Sequence, residues 1–142
     1  MEIKFFTNSS EFKNALSEYE IIWSNEGNKI IDGLQKTSSL NFGTENVDAE
    51  IYEGISTSHP LRLRASYPND VKKATLIHEL CHILLDDNEM KFNSSEETHE
   101  KLNPILYKTW VDLYGKDFAD KMIVVESKRT DMYKRVWEKL NK

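Results

Sequence analysis

The sequence predicts an α+β domain: an N-terminal helix, a small antiparallel β-hairpin or sheet, one buried helix, and C-terminal helices. Three observations predict it. Apolar residues recur at helical spacing in long blocks at both ends of the chain, two short alternating stretches lie between those blocks, and one central stretch is apolar almost all round. The 142 residues, 39% apolar and 30% charged with five Gly and three Pro, suit a single domain over residues 1–142 and set aside disordered and collagenous chains.

Taken in order, Ile3 to Phe6 reads as a short strand, and Asn8-Ser9-Ser10-Glu11 offers caps for a helix through Phe12, Leu16, Tyr19, Ile22 and Trp23. Gly27 and Gly33 leave open whether one helix or two continues through Ile30 and Leu34, since each weakens a helix interior by about 1 kcal/mol relative to Ala. Val47 to Ser56 and Leu61 to Ala65 alternate as half-buried strands, and Ser58-His59-Pro60 between them predicts a hairpin with Arg62 and Arg64 on its wet face. Pro68-Asn69-Asp70 opens a helix to about Leu85. Ser94-Ser95-Glu96-Glu97 reads as a capping box for a further helix through Trp110, although Pro104 allows a later start at Asn103. Gly115 ends it, and residues 116–141 read as one or two helices with Met122, Val136 and Trp137 inward.

Composition narrows the function. Cys81 is the one cysteine, which rules out an intrachain disulfide or a cysteine-based zinc finger and fits a reducing compartment. The N-terminus lacks the pattern of a secretory signal and no 18-residue apolar run occurs, so the expected location is cytoplasmic, away from membranes. The net charge of −5 is uneven, with 8 basic against 5 acidic side chains in residues 116–142. That excess, around Lys128, Arg129, Lys134 and Arg135, is small for an electrostatic nucleic-acid binder and reads as a solvated face.

The residues that carry chemistry lie in Ile77-His78-Glu79-Leu80-Cys81-His82. At 100° per residue, His78 falls at about 0°, His82 at about 40°, Thr75 at about 60°, Asp86 at about 80° and Glu79 at about 100°, while apolar residues fill the rest of the wheel. A helix so apolar that reserves one polar stripe for these groups must turn that stripe to a cleft. Two imidazoles one turn apart can present nitrogens to one tetrahedral Zn²⁺, leaving room for a third ligand, and Glu79 beside them can accept a proton from water as general base. Cys81 points away from this stripe and reads as a small buried hydrophobe.

On this motif the chain resembles the zincin metallopeptidases, specifically over about residues 71–86 and architecturally over 5–70 and 94–115. The resemblance implies a compact zincin-like domain, a zinc cofactor on His78 and His82, Glu79 as catalytic base, and an edge strand that runs antiparallel to a bound peptide or protein substrate. The metzincin extension is missing, since Leu85 and Asn88 stand where Gly and His would. His99 as third ligand would be similar to SprT-type proteases; a carboxylate, Glu126 or Glu100 ahead of Glu96 and Glu97, would be similar to minigluzincins and the peptidases that cleave phage repressors. Asp86 could orient a ligand, and Tyr107, Tyr114, Tyr133 and Arg64 are candidate oxyanion donors. The alternative is a non-catalytic metal-binding scaffold acting as a protein- or DNA-associated module, against which an intact Glu79 argues.

Overall fold

In the computed structural model, which describes residues 1–140, strand β1 (Glu2–Phe6) leads through a 3-10 turn capped by Ser9 into helix α1 (Lys13–Ser38). Helix α1 is continuous through both glycines. At Gly27 a Cβ would come within 2.9 Å of the Trp23 ring, so the glycine makes room for the indole and packing offsets its weak helix propensity.

Strands β2 (Asn46–Tyr52), β3 (Thr57–Ser58) and β4 (Leu61–Arg64) complete a sheet of order β1-β2-β4-β3. Alternation identifies the inward residues, since Ala49, Ile51, Leu61 and Leu63 are all buried. The pairing differs from the expected antiparallel hairpin. β2 runs parallel to both β1 and β4, with Ala49 opposite Leu61 and Ile51 opposite Leu63. The hairpin is instead β3 with β4, Ser58 opposite Leu61. Alternation fixes which face a residue takes and carries no direction. Here β2 ends at Tyr52, and the chain crosses over before the Ser58-His59-Pro60 turn reverses it, so only the two residues of β3 pair antiparallel.

Helices α2 (Asn69–Asp87), α3 (Ser95–Tyr114), α4 (Lys116–Ser127) and α5 (Asp131–Leu140) follow. The cap at the start of α3 forms, with Ser94 Oγ accepting from the Glu97 N–H, while the Glu97 carboxylate reaches back one residue beyond the cap and accepts from the Asn93 N–H. Pro104 lies inside α3 without breaking it, and Gly115, at φ +92°, separates α3 from α4. The expected tail of one or two helices is two, and residue 141 lies outside the described residues. Among the described residues no helix is long and apolar enough to cross a membrane.

Helix α2 is the centre of the core. Leu76, Ile77, Leu80, Cys81 and Leu84 have no exposed surface, and α1, α3 and strands β3 and β4 pack around them. Each such side chain contributes about 1.5–3 kcal/mol by burial. That apolar grip fixes the rotation of α2, and therefore the direction of its one polar stripe.

Candidate metal centre

The stripe holds Thr75, His78 and Glu79, all buried, and His82, half-buried. Helix α3 packs across it and adds His99 from its second turn, also buried. One ring nitrogen from each of His78, His82 and His99 lies within 4.8 Å of the others. The ring centroids are 5.1 Å apart for His78 and His82, 5.4 Å for His78 and His99, and 5.0 Å for His82 and His99.

The outer nitrogens of two of these rings are already spoken for. His78 Nδ1 lies 2.7 Å from Glu126 Oε2, and His99 Nδ1 lies 2.8 Å from the Ser95 carbonyl oxygen. A carboxylate and a carbonyl accept, so in both rings Nδ1–H donates, and Nε2 carries a lone pair when the ring is neutral. Burial pulls the His78 imidazole down, but Glu126 outweighs it and raises it, so His78 gives up its Nε2 proton less readily than His99 does. Both Nε2 atoms are buried and have no hydrogen-bond partner among the described residues. A buried polar atom left unpaired costs about 1–3 kcal/mol. Two such lone pairs beside a third imidazole form a donor set that a metal ion satisfies, and His78, His82 and His99 could together hold one.

Glu126, on α4, is itself anchored. Its Oε1 accepts the Trp137 Nε1–H at 3.1 Å from α5, and the Arg129 guanidinium stands 3.8 Å from Oε2. Burial favours the neutral acid at Glu126, but His78, Arg129 and the Trp137 indole together outweigh it and hold the carboxyl below its usual range. Burial, reinforced by the neighbouring His78 and His99, holds His82 down to about 2, and burial with His78 lowers His99. Both imidazoles are therefore neutral near pH 7, the state a metal ligand requires. Burial pushes the Glu79 carboxyl up, which suits a group that must take up a proton.

Glu79 and His82 open on different cavities. Glu79 lines one of about 260 Å³ with Arg129 and Tyr133, while His82 lines one of about 400 Å³ with Ser58 and Phe92. The segment through β3 runs past both, contributing Ser56 to the first and Ser58 to the second.

The other sequence candidates separate. Glu126 sits on the outer nitrogen of His78 and outside the converging triad. Glu96 and Glu100 pair with Arg135 and Lys139 on α5, and Glu97 caps α3. Asp86 is exposed and meets His59 at 3.5 Å on the wall of the cavity that His82 also lines, with no hydrogen bond to a histidine of the triad among the described residues. Of the oxyanion candidates, Tyr107 donates to Asp120, Tyr114 to Glu26, and Arg64 to Glu53. Tyr133 alone packs on the triad, its ring 4.7 Å from His99 and 5.8 Å from His78. Cys81 is buried, as expected. Sequence reasoning missed Trp137 as a partner of Glu126 and Arg129 as a partner of Thr75; neither has a local signal, because one contact joins two helices and the other joins the α4–α5 connection to α2.

Comparison with protein-family models, curated proteins and solved structures finds no match to this chain.

Proposed function

We propose that the chain is a zinc-dependent metallopeptidase of the zincin kind, with His78, His82 and His99 as ligands and Glu79 as general base. The observation that carries this reading is the pair of buried, unpartnered Nε2 atoms on His78 and His99, beside His82 and one residue from Glu79. Zinc bound there would act as a Lewis acid and lower the pKa of a water molecule toward neutrality. The chain's own groups supply the rest. Glu126 and the Ser95 carbonyl keep two imidazoles in the tautomer whose Nε2 is free. Glu79, with its carboxyl raised by burial, holds the proton removed from water and returns it to the leaving amine. Tyr133, protonated well above neutral pH because it is buried, can donate to a developing oxyanion from the wall it shares with Glu79.

A peptide or unfolded protein segment suits the surroundings. β3 is the outer strand of the sheet and passes both cavities, so an extended substrate could add to its free edge. A closed structural metal site would call for a fourth protein ligand, whereas the donor set here offers three histidines and leaves Glu79 free.

Elemental analysis of purified protein tests the ligand set, and release of fragments from an unfolded protein tests the chemistry. About one zinc per chain is expected in the wild type, lost in His82→Ala and His99→Ala. Glu79→Gln should keep the metal while turnover falls about 10²–10⁴-fold. A wild-type chain that takes up no metal after zinc reconstitution, or a Glu79→Gln variant that cleaves as fast as wild type, would overturn the reading.

A further inference from the structure

The cavity beside Glu79 is lined by hydrogen-bond donors that the protein leaves unused. Arg129, just past the end of α4, has only 22% of its side chain exposed and stacks over the Tyr67 ring at 5.0 Å. A guanidinium carries five N–H groups. Among the described residues Arg129 makes one hydrogen bond, from Nη2 to Thr75 Oγ1 at 3.1 Å, and Glu126 at 3.8 Å is beyond hydrogen-bond reach. The tyrosines show the same contrast. Tyr19, Tyr52, Tyr107 and Tyr114 each donate their hydroxyl within the protein, whereas those of Tyr67 and Tyr133, both on this cavity wall, have no partner among the described residues. Arg64 also reaches the wall, but its Nε is hydrogen-bonded to Glu53 at 2.6 Å, closer than the 3.8 Å between Arg129 and Glu126.

We propose that this cavity is a substrate subsite for a carboxylate, gripped by Arg129 with Tyr67 as a further donor, the Tyr133 hydroxyl being left to the oxyanion. This rests on the peptidase reading and deepens it: the preferred substrate carries an acidic side chain, or a free C-terminal carboxylate, near the bond that is cut. A planar guanidinium matches a carboxylate through two parallel hydrogen bonds, which an ammonium does not reproduce. The partly buried setting strengthens that pairing relative to open water.

The test uses zinc-loaded Glu79→Gln protein, which binds without turnover, and follows binding by the backbone amide signals of the cavity residues and, where Arg129 is present, by its side-chain Nε–H signal in NMR. Three probes are titrated: N-acetylglutamate methylamide, N-acetylglutamine methylamide and N-acetylalanine with a free carboxyl. At least one acidic probe should bind about tenfold more tightly than the glutamine probe. A winning glutamate probe assigns the subsite to an acidic side chain, and a winning acetylalanine assigns it to a C-terminus. Adding Arg129→Gln should abolish the preference, and Arg129→Lys should restore only part of it. Repeating the titration on metal-stripped protein excludes direct binding of the carboxylate to zinc. Equal binding of acid and amide, a preference that survives Arg129→Gln or vanishes with the metal, or no shift of the Arg129 signal would each overturn the proposal. Failure of the peptidase reading shows separately, as a wild type that takes up no zinc or a Glu79→Gln variant that cleaves as fast as wild type, whereas the titration of metal-stripped protein tests the subsite alone.

Discussion

Helix α2 and the α4–α5 pair build the candidate metal centre in different ways. α2 places His78, Glu79 and His82 by helical spacing alone, and its apolar sides hold that stripe toward the cleft. The α4–α5 pair places nothing by spacing. It delivers Glu126 to His78 across 48 residues, Trp137 to Glu126, and the Tyr133 ring to both His78 and His99, all through packing between helices. The placing of His78 and His82 is thus a local property of the chain, and the addition of His99 and the orientation of the rings a tertiary one. The three histidines differ accordingly: His78 and His99 have their outer nitrogens pinned, whereas His82 is half-buried and faces the larger cavity.

If that division holds, damage to α4–α5 should weaken the metal without changing its ligands. Glu126→Gln keeps the shape and can still accept from His78 Nδ1–H, but removes the charge that makes the imidazole a stronger ligand. Zinc affinity should fall about 10- to 100-fold, read by competition with a chelating dye, while stoichiometry at saturating zinc stays unchanged. A variant with wild-type affinity would show that the α2 and α3 histidines are sufficient by themselves.

A smaller effect is expected one step further out. Trp137→Phe preserves stacking on Trp110, 5.6 Å away, but leaves Glu126 Oε1 without its indole donor inside the core. Loss of about 1–3 kcal/mol in urea unfolding is expected, from a buried acceptor left unpaired. Zinc affinity should fall less than in Glu126→Gln. The reverse order would mean that Trp137, and not the charge of Glu126, positions His78.

The same contrast explains what the sequence made legible. The polar arc of α2 and the Ser94 cap of α3 are written in residues three and four apart, and both form as read. Tyr133 stood among four oxyanion candidates, and only packing separated it from Tyr107 and Tyr114, whose hydroxyls are committed to Asp120 and Glu26. Glu126 was legible as an acid in an apolar stretch, Ile123-Val124-Val125, but its role was not, because a carboxylate that binds metal and one that holds a histidine leave the same trace in the sequence. The parallel pairing of β2 with β4 was hidden for a related reason: alternation names a face, and direction depends on where the chain crosses over.

The narrowest test uses a second carboxylate that touches α2 on a different face. Glu26 of α1 binds Lys73 at 2.9 Å and accepts from the Tyr114 hydroxyl at 2.7 Å, so it ties α1, α2 and α3 together without facing the histidines. Burial works to raise its carboxyl, but the Tyr114 hydrogen bond and the Lys73 ammonium outweigh it and hold it below the usual carboxylate range. A carboxyl depressed by folding stabilises the native state above its unfolded value, about 4.3, and that contribution is lost as pH falls through the folded value. The stability gap between wild type and Glu26→Gln should therefore be full at pH 6–7, about 1 kcal/mol, and should close as pH falls below about 4. Zinc affinity at pH 7 should not change. Were Glu26→Gln to weaken zinc as much as Glu126→Gln does, orientation of the ligands would depend on the overall rigidity of α2, and the special part assigned to α4–α5 would be lost.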